Sequence, residues 1–219
     1  MSLIIGFNVR DGIVVAADRC TTHHSNGTTS HSFDSRKIVV LDERIVVLHC
    51  GDYFVSNNIS AHEFLESCVD LIDKNADVTM LPLAILSKYK SAGYKSDNTF
   101  FVGGFDSENK GFIYQINVTK NSVEQVYGDG DFGGTWSGVS NVATPILKQA
   151  ACSRISLMDT AILCKLAIDA TGKSQLHCGI EITVGDKADV YVMHKNGTTH
   201  WFSGDAGFLV DSCSDGEGA

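Results

Sequence analysis

The chain has 219 residues, 43% hydrophobic and 20% charged, a composition that buries a core without staples and excludes a disordered or disulfide-scaffolded class. A net charge of −9 and a pI of about 5.2 speak against a nucleic-acid partner, which needs a basic face. No run of about 18 apolar residues occurs, and Met1 to Val9 lack a charged region ahead of an apolar one, so neither a membrane span nor a secretory leader is expected.

The first fifty residues read as four strands. Leu3–Val9 and Ile13–Ala17 flank the turn Arg10-Asp11-Gly12, and turn chemistry between β-branched runs predicts a hairpin. The polar stretch Thr21 to Asp34 reads as a loop. Lys37–Leu41 and Arg44–Cys50 form a second hairpin around Asp42-Glu43. The period then changes: Phe64, Leu65, Cys68, Leu71 and Ile72 share a face at helical spacing, and Met80 to Tyr89 continues as a second helix with Pro82 in its first turn. Asn98–Gly103, Gly111–Asn117 and Ser122–Tyr127 return to strands, and the glycine-rich stretch Gly128–Gly138 reads as a loop. Val142–Cys152 and Met158–Asp169 form a second helix pair. Strands follow at Cys178–Val184, Val190–His194 and Thr198–Phe202, the last two joined at Asn196-Gly197. Strands in runs and helices in runs predict an α+β layered protein with one domain over residues 1–210. An acidic tail follows from Asp211 to Ala219.

Seven cysteines (20, 50, 68, 152, 164, 178 and 213) include no CxxC pair, and several sit in apolar runs. Free cysteine packs as a small hydrophobe, so buried thiols in a reducing compartment are expected. His23, His24 and His31 lie in a Ser/Thr/Gly-rich stretch without carboxylates at ligand spacing, so no metal site is expected. Gly172-Lys173-Ser174 lacks the glycine five positions earlier that a phosphate loop needs, and no cofactor is assigned.

The stretch from Ile4 to Arg19 resembles the opening of proteasome β-type subunits, members of the N-terminal-nucleophile hydrolase family. Arg36–Leu41 is similar to their lysine-bearing strand, and His49-Cys50-Gly51-Asp52 to their strand-end glycine turn. Val102–Asp106 followed by Gly111–Tyr114 is similar to their central hairpin. Trp136-Ser137-Gly138 and Asp169-Ala170-Thr171-Gly172 fall where the family has a Ser-Gly step and a helix-ending aspartate. The resemblance spans residues 2 to about 203. It implies a four-layer αββα sandwich, two antiparallel sheets between helix layers. It also implies stacked seven-membered rings of β-type and α-type subunits around a chamber that degrades unfolded polypeptides, in the cytoplasm and, in a eukaryote, the nucleus.

Carried over residue by residue, the resemblance puts Ser2 at the nucleophile position. A terminal hydroxyl is activated by its own α-amine, whose pKa near 8 suits that task; here Met1 would first have to be removed. Asp18, Lys37, Ser137 and Asp169 take the supporting positions. The Gly51 N–H would stabilise the oxyanion. Thr21 and Thr22 fall where substrate backbone is held, His49 in the specificity pocket, and Tyr53 and Phe54 where small residues line the substrate strand. Large rings there, and no threonine at the nucleophile position, favour a non-catalytic wall subunit. A serine-type endopeptidase and an accessory binding protein without a ring remain alternatives, since fold does not fix function.

Overall fold

The computed structural model describes residues 2–25, 27–56, 58–72, 78–128, 130–179 and 181–203. The tail from Asp211 onward, Cys213 and Asp129 lie outside them.

Strands β1 (Leu3–Val9) and β2 (Gly12–Asp18) are buried at every position, because both faces of their sheet are covered. Next come β3 (Thr21–Ser25), β4 (Thr28–Ser32), β5 (Ile38–Asp42) and β6 (Ile45–Gly51), then a small hairpin of β7 (Phe54–Ser56) and β8 (Ile59–Ser60). Helix α1 (Ala61–Glu66) starts in a capping box: the Ser60 hydroxyl accepts from the Glu63 N–H and the Glu63 carboxylate from the Ser60 N–H. A 3-10 turn (Ser67–Leu71), a second one (Val78–Met80) and α2 (Leu81–Ser91) follow. Strands β9 (Asn98–Phe105), β10 (Gly111–Asn117), β11 (Ser122–Tyr127) and β12 (Gly133–Gly138) precede α3 (Ala143–Leu147), α4 (Leu157–Cys178), β13 (Ala188–His194) and β14 (Thr199–Phe202).

Two five-stranded antiparallel sheets carry the architecture, in the orders β12-β1-β2-β13-β14 and β11-β10-β9-β6-β5. Alternate side chains of each strand point to opposite faces. Ile4, Ile13 and Val15 therefore meet Ile38, Val46, Leu48 and Phe101 between the sheets. Ile5, Val14 and Val190 face outward onto Ala161, Cys164 and Ile168 of α4. Val47, Phe100 and Val102 face outward onto Phe64, Leu65, Ile85 and Tyr89. Burying each such large side chain contributes roughly 1.5–3 kcal/mol.

The expected four-layer αββα sandwich is corrected. Strand outweighs helix, 41% to 27%. Among the described residues there are four α-helices, of 6, 11, 5 and 22 residues. One long helix and three short ones do not make two paired helix layers. The Phe64–Ile72 pattern breaks into α1 and a 3-10 turn because Ser67 Oγ and Cys68 Sγ both bond the Phe64 carbonyl, at 2.7 and 3.3 Å. The Val142–Cys152 helix shrinks to Ala143–Leu147. In the other direction, α4 runs through Cys178 to its cap at Gly179 (φ 62°), and among the described residues the expected strand Cys178–Val184 is absent.

Two expected loops are strands. Thr21–Asp34 contains the β3–β4 hairpin; its signals were β-branched threonines and the dipeptide Asn26-Gly27. Gly128–Gly138 contains β12, which pairs with β1 from Leu3↔Gly138 to Asn8↔Gly133. Its glycines serve close approach: a Cβ on Gly134 would stand 2.1 Å from the Phe7 ring.

The outer face of α4 is open. Met158, Ile162, Leu166 and Leu176 are 38%, 48%, 53% and 61% exposed. At 100° per residue they fall within one stripe. Among the described residues no helix is long and apolar enough to cross a membrane.

Candidate active site

Ser2 heads β1 and is buried. Its carbonyl accepts from the Val139 N–H at 3.0 Å, and the next N–H, of Leu3, donates to Asp18 Oδ1 at 2.8 Å. Asp18 ends β2, fully buried. Its Oδ2 accepts from Lys37 Nζ at 2.8 Å, the Cys20 N–H at 2.8 Å and the Gly185 N–H at 3.2 Å. Lys37 Nζ also donates to the Cys20 carbonyl at 2.6 Å. A buried carboxylate is tolerable only when so compensated. An ammonium has three donors, which leaves one Lys37 N–H for the space in front of Ser2.

That space is a cavity of ≈ 40 Å³. Of the residues expected at the site, Ser2, Thr21, Thr22, Lys37, His49, Gly51 and Tyr53 line it, together with Cys20, which the sequence reading missed. A cavity of this size admits water but not a peptide side chain, since ligand pockets run to roughly 300 Å³ and above. Tyr53 stands on its rim with its ring edge-on to Phe54 at 4.7 Å and to His23 at 5.8 Å.

Gly51 ends β6 at φ +124°, where a Cβ would fall 2.0 Å from the Asp97 carbonyl, so only glycine permits the turn. The Thr22 hydroxyl donates to the Ile182 carbonyl at 3.1 Å and lies 3.3 Å from His31 Nδ1. Thr21 donates to Ser35.

His49 is buried near the end of β6. Burial, then the Lys37 charge and His62, push its imidazole down to about 3. At neutral pH it therefore stands in the cavity wall as a neutral imidazole. Cys50 donates its thiol to Ser137 Oγ at 3.6 Å, and burial pushes that thiol up to about 11. Cys20 is also raised, first by burial and then by Asp18. Neither is a thiolate nucleophile at neutral pH.

Ser137 pairs with Ile4 across β12 and β1, accepts from the Cys50 thiol and does not line the cavity. Asp169 does not end a helix. It lies inside α4, accepts from Lys165 Nζ at 2.7 Å and contributes nothing to the cavity wall. Among the described residues no group of three or more His, Cys, Asp or Glu side chains is placed to hold a metal ion.

No protein-family model and no curated protein sequence matches the chain. Solved structures do. The helical assembly of the Anbu complex from Pseudomonas aeruginosa matches at 17% identity and a TM-score of 0.71, covering 94% of this chain and 88% of that one. An Anbu (Gly-1) mutant from Hyphomicrobium sp. strain MC1 matches at 17% identity and 0.69, with the same coverage. Anbu (ancestral beta-subunit) from Yersinia bercovieri matches at 14% identity and 0.65, covering 93% and 88%. At these identities the likeness shows the fold.

The resemblance to proteasome β-type subunits is thereby corrected: the similar structures are Anbu proteins, proteasome-related but a distinct family. The physical reason lies in the residues that carried it. Ile4–Arg19, Arg36–Leu41 and Val102–Tyr114 build strands of the two antiparallel sheets, and those segments encode the sheets, not the family that uses them. The fold this chain shares is Anbu-like.

Proposed function

We propose that the chain is a self-assembling subunit of an Anbu-like, proteasome-related particle and that its own Ser2 cavity is closed to polypeptide. The observation that carries this reading is the α4 stripe. Met158, Ile162 and Leu166 stand in water one turn apart on a helix whose other face is core, with Leu176 on the same face beyond Asp169 and Lys173, and apolar surface rimmed by charge in this way marks an interface. The likeness to a helical assembly supports the same reading. Like subunits are then the partners, in place of the seven-membered rings that the sequence resemblance implied. A single domain over residues 1–210 and a cytoplasmic location, extending to the nucleus in a eukaryote, belong to the proposal. The six free cysteines among the described residues accord with a reducing compartment.

A second reading, a peptidase that uses Ser2 once Met1 is removed, is favoured by one observation: the buried Asp18–Lys37 pair stands against the cavity that Ser2 lines.

Sedimentation at micromolar concentration tests the assembly; a clean monomer overturns it. Intact mass with and without a β-lactone probe tests the closed site. A mass that lacks Met1 and gains the probe transfers the conclusion to the peptidase; a mass without adduct supports the closed cavity.

A further inference from the structure

Strand β5 is the edge of its sheet. The His49 N–H donates to the Lys37 carbonyl at 3.1 Å, which fixes the phase of the β5–β6 ladder. Val39 then exchanges bonds with Val47, and the N–H and C=O of Ile38 and Val40 point away from β6. Among the described residues no backbone partner meets them. Proteins blunt such edges with proline, charge or a cover. Ile38–Leu41 has neither proline nor charge, and its one guard is a register shift between Val40 and Asp42.

A groove of ≈ 390 Å³ runs along this edge. Val39, Val40, Leu41, Val69 and Trp201 supply its apolar lining. Val40 is 39% exposed. The ionic groups are Arg36, His62 and Glu66. Glu66 is paired with His62 at 3.3 Å, whereas no ion pair is recorded for Arg36 among the described residues. The groove therefore suits an extended strand that is apolar along its length and carries a carboxylate at one end, the chemistry of strand addition to a sheet edge.

The chain's own sequence contains such a stretch, Gly207-Phe208-Leu209-Val210-Asp211, which lies outside the described residues. We propose that the groove takes these five residues from a second copy as an added antiparallel strand. With Leu209 opposite Ile38, Gly207 falls opposite Val40 and Asp211 opposite Arg36. Both bonded positions then coincide with the outward main-chain groups, and the one carboxylate meets the unpaired guanidinium.

The direction of β14 favours a second copy over the same molecule. β13 begins opposite Asp18 and runs away from it, so β14 runs toward Asp18. β5 starts at that same end, beside Lys37. A chain that left Phe202 and turned back along β5 would run parallel to it and carry Asp211 away from Arg36.

The inference rests on the assembly reading and is tested so that the two can fail separately. A fluorescent peptide of residues 205–212 is titrated against the full chain, and the full chain's association is followed by sedimentation. We expect saturable peptide binding that Arg36→Glu weakens about fivefold or more and that an Asp211→Arg peptide regains on the Arg36→Glu chain. In the full chain either single change should weaken association and the double exchange should restore it, which also shows that the variants fold. Association that ignores both changes, with a scrambled peptide bound equally well, overturns the inference and leaves the assembly reading standing. A monomeric chain that still binds the peptide through Arg36 supports the groove's chemistry and overturns assembly. A double exchange that restores no association under conditions where the wild type associates overturns the inference.

Discussion

At the head of β1 the molecule hides charge, and along α4 it displays apolar side chains; the two regions flank the same sheet. Asp18 and Lys37 are buried from bulk solvent with four donors on one carboxylate, an arrangement that gains little net stability over an apolar pair. Met158, Ile162, Leu166 and Leu176 leave apolar area in water that a monomer gains nothing by exposing. Both regions are poor choices for a lone chain. The first makes sense as chemistry held beside Ser2, and the second as surface reserved for contact.

The largest expected effect breaks the first half of that contrast. Asp18→Ala leaves Lys37 buried without a counter-charge and should cost about 3–5 kcal/mol, read from denaturant unfolding. A loss below ~1 kcal/mol would mean that water already reaches the pair. Breaking the second half should leave folding alone: Leu166→Glu with Leu176→Glu should weaken association about a hundredfold in sedimentation while shifting unfolding by less than ~0.5 kcal/mol. Unchanged association would remove α4 as the contact.

A third test sharpens the contrast through pH. The folded pKa of His49, about 3, lies below its ordinary value of 6.5. The unfolded chain therefore protonates first as pH falls. The stability tied to neutral His49 is full above pH ~6.5 and is lost between there and about 3. His49→Gln should flatten this acid loss, seen as unfolding midpoints from pH 7 to 4 that fall less steeply than the wild type's. Parallel profiles would show that His49 is already wet. The smallest effect is local: Ser156→Ala removes the N-cap that accepts from the Asp159 N–H at 3.1 Å and should cost about 1 kcal/mol, read from denaturant unfolding.

The strands that lie between the sheets were legible in the sequence because both their faces are buried; Leu3–Val9 and Arg44–Cys50 read as apolar-rich stretches. What escaped was structure whose stability comes from a neighbour. β12 reads as a loop because glycine, threonine and tryptophan alternate without a β-branched run, and only β1 beside it makes it a strand. The last turns of α4 were lost because the helix was expected to end at Asp169. The site was half legible. Ser2, Lys37, His49 and Gly51 converge because each lies at or near the end of a strand, and strand ends in facing sheets meet. Asp169 did not join the cavity, because a longer α4 moves it from a helix end to a helix interior. The size of the cavity, set by a ring cluster drawn from two hairpins, has no local signature at all.

The two sheets also differ in when they can exist. Strands β5, β6, β9, β10 and β11 fall between residues 38 and 127 and pair only with each other. The other sheet joins Leu3 to Gly138 and Asp18 to Ala188. During synthesis at roughly 5–20 residues per second, the β1–β2 hairpin must therefore wait on the order of ten seconds for β13, with its apolar faces uncovered. Non-local pairing of this kind is slow and prone to aggregation. The strand that carries Asp18 is thus among the first made and the last enclosed, and a nascent chain of this protein is at its most vulnerable at the very strands that later hold its candidate site.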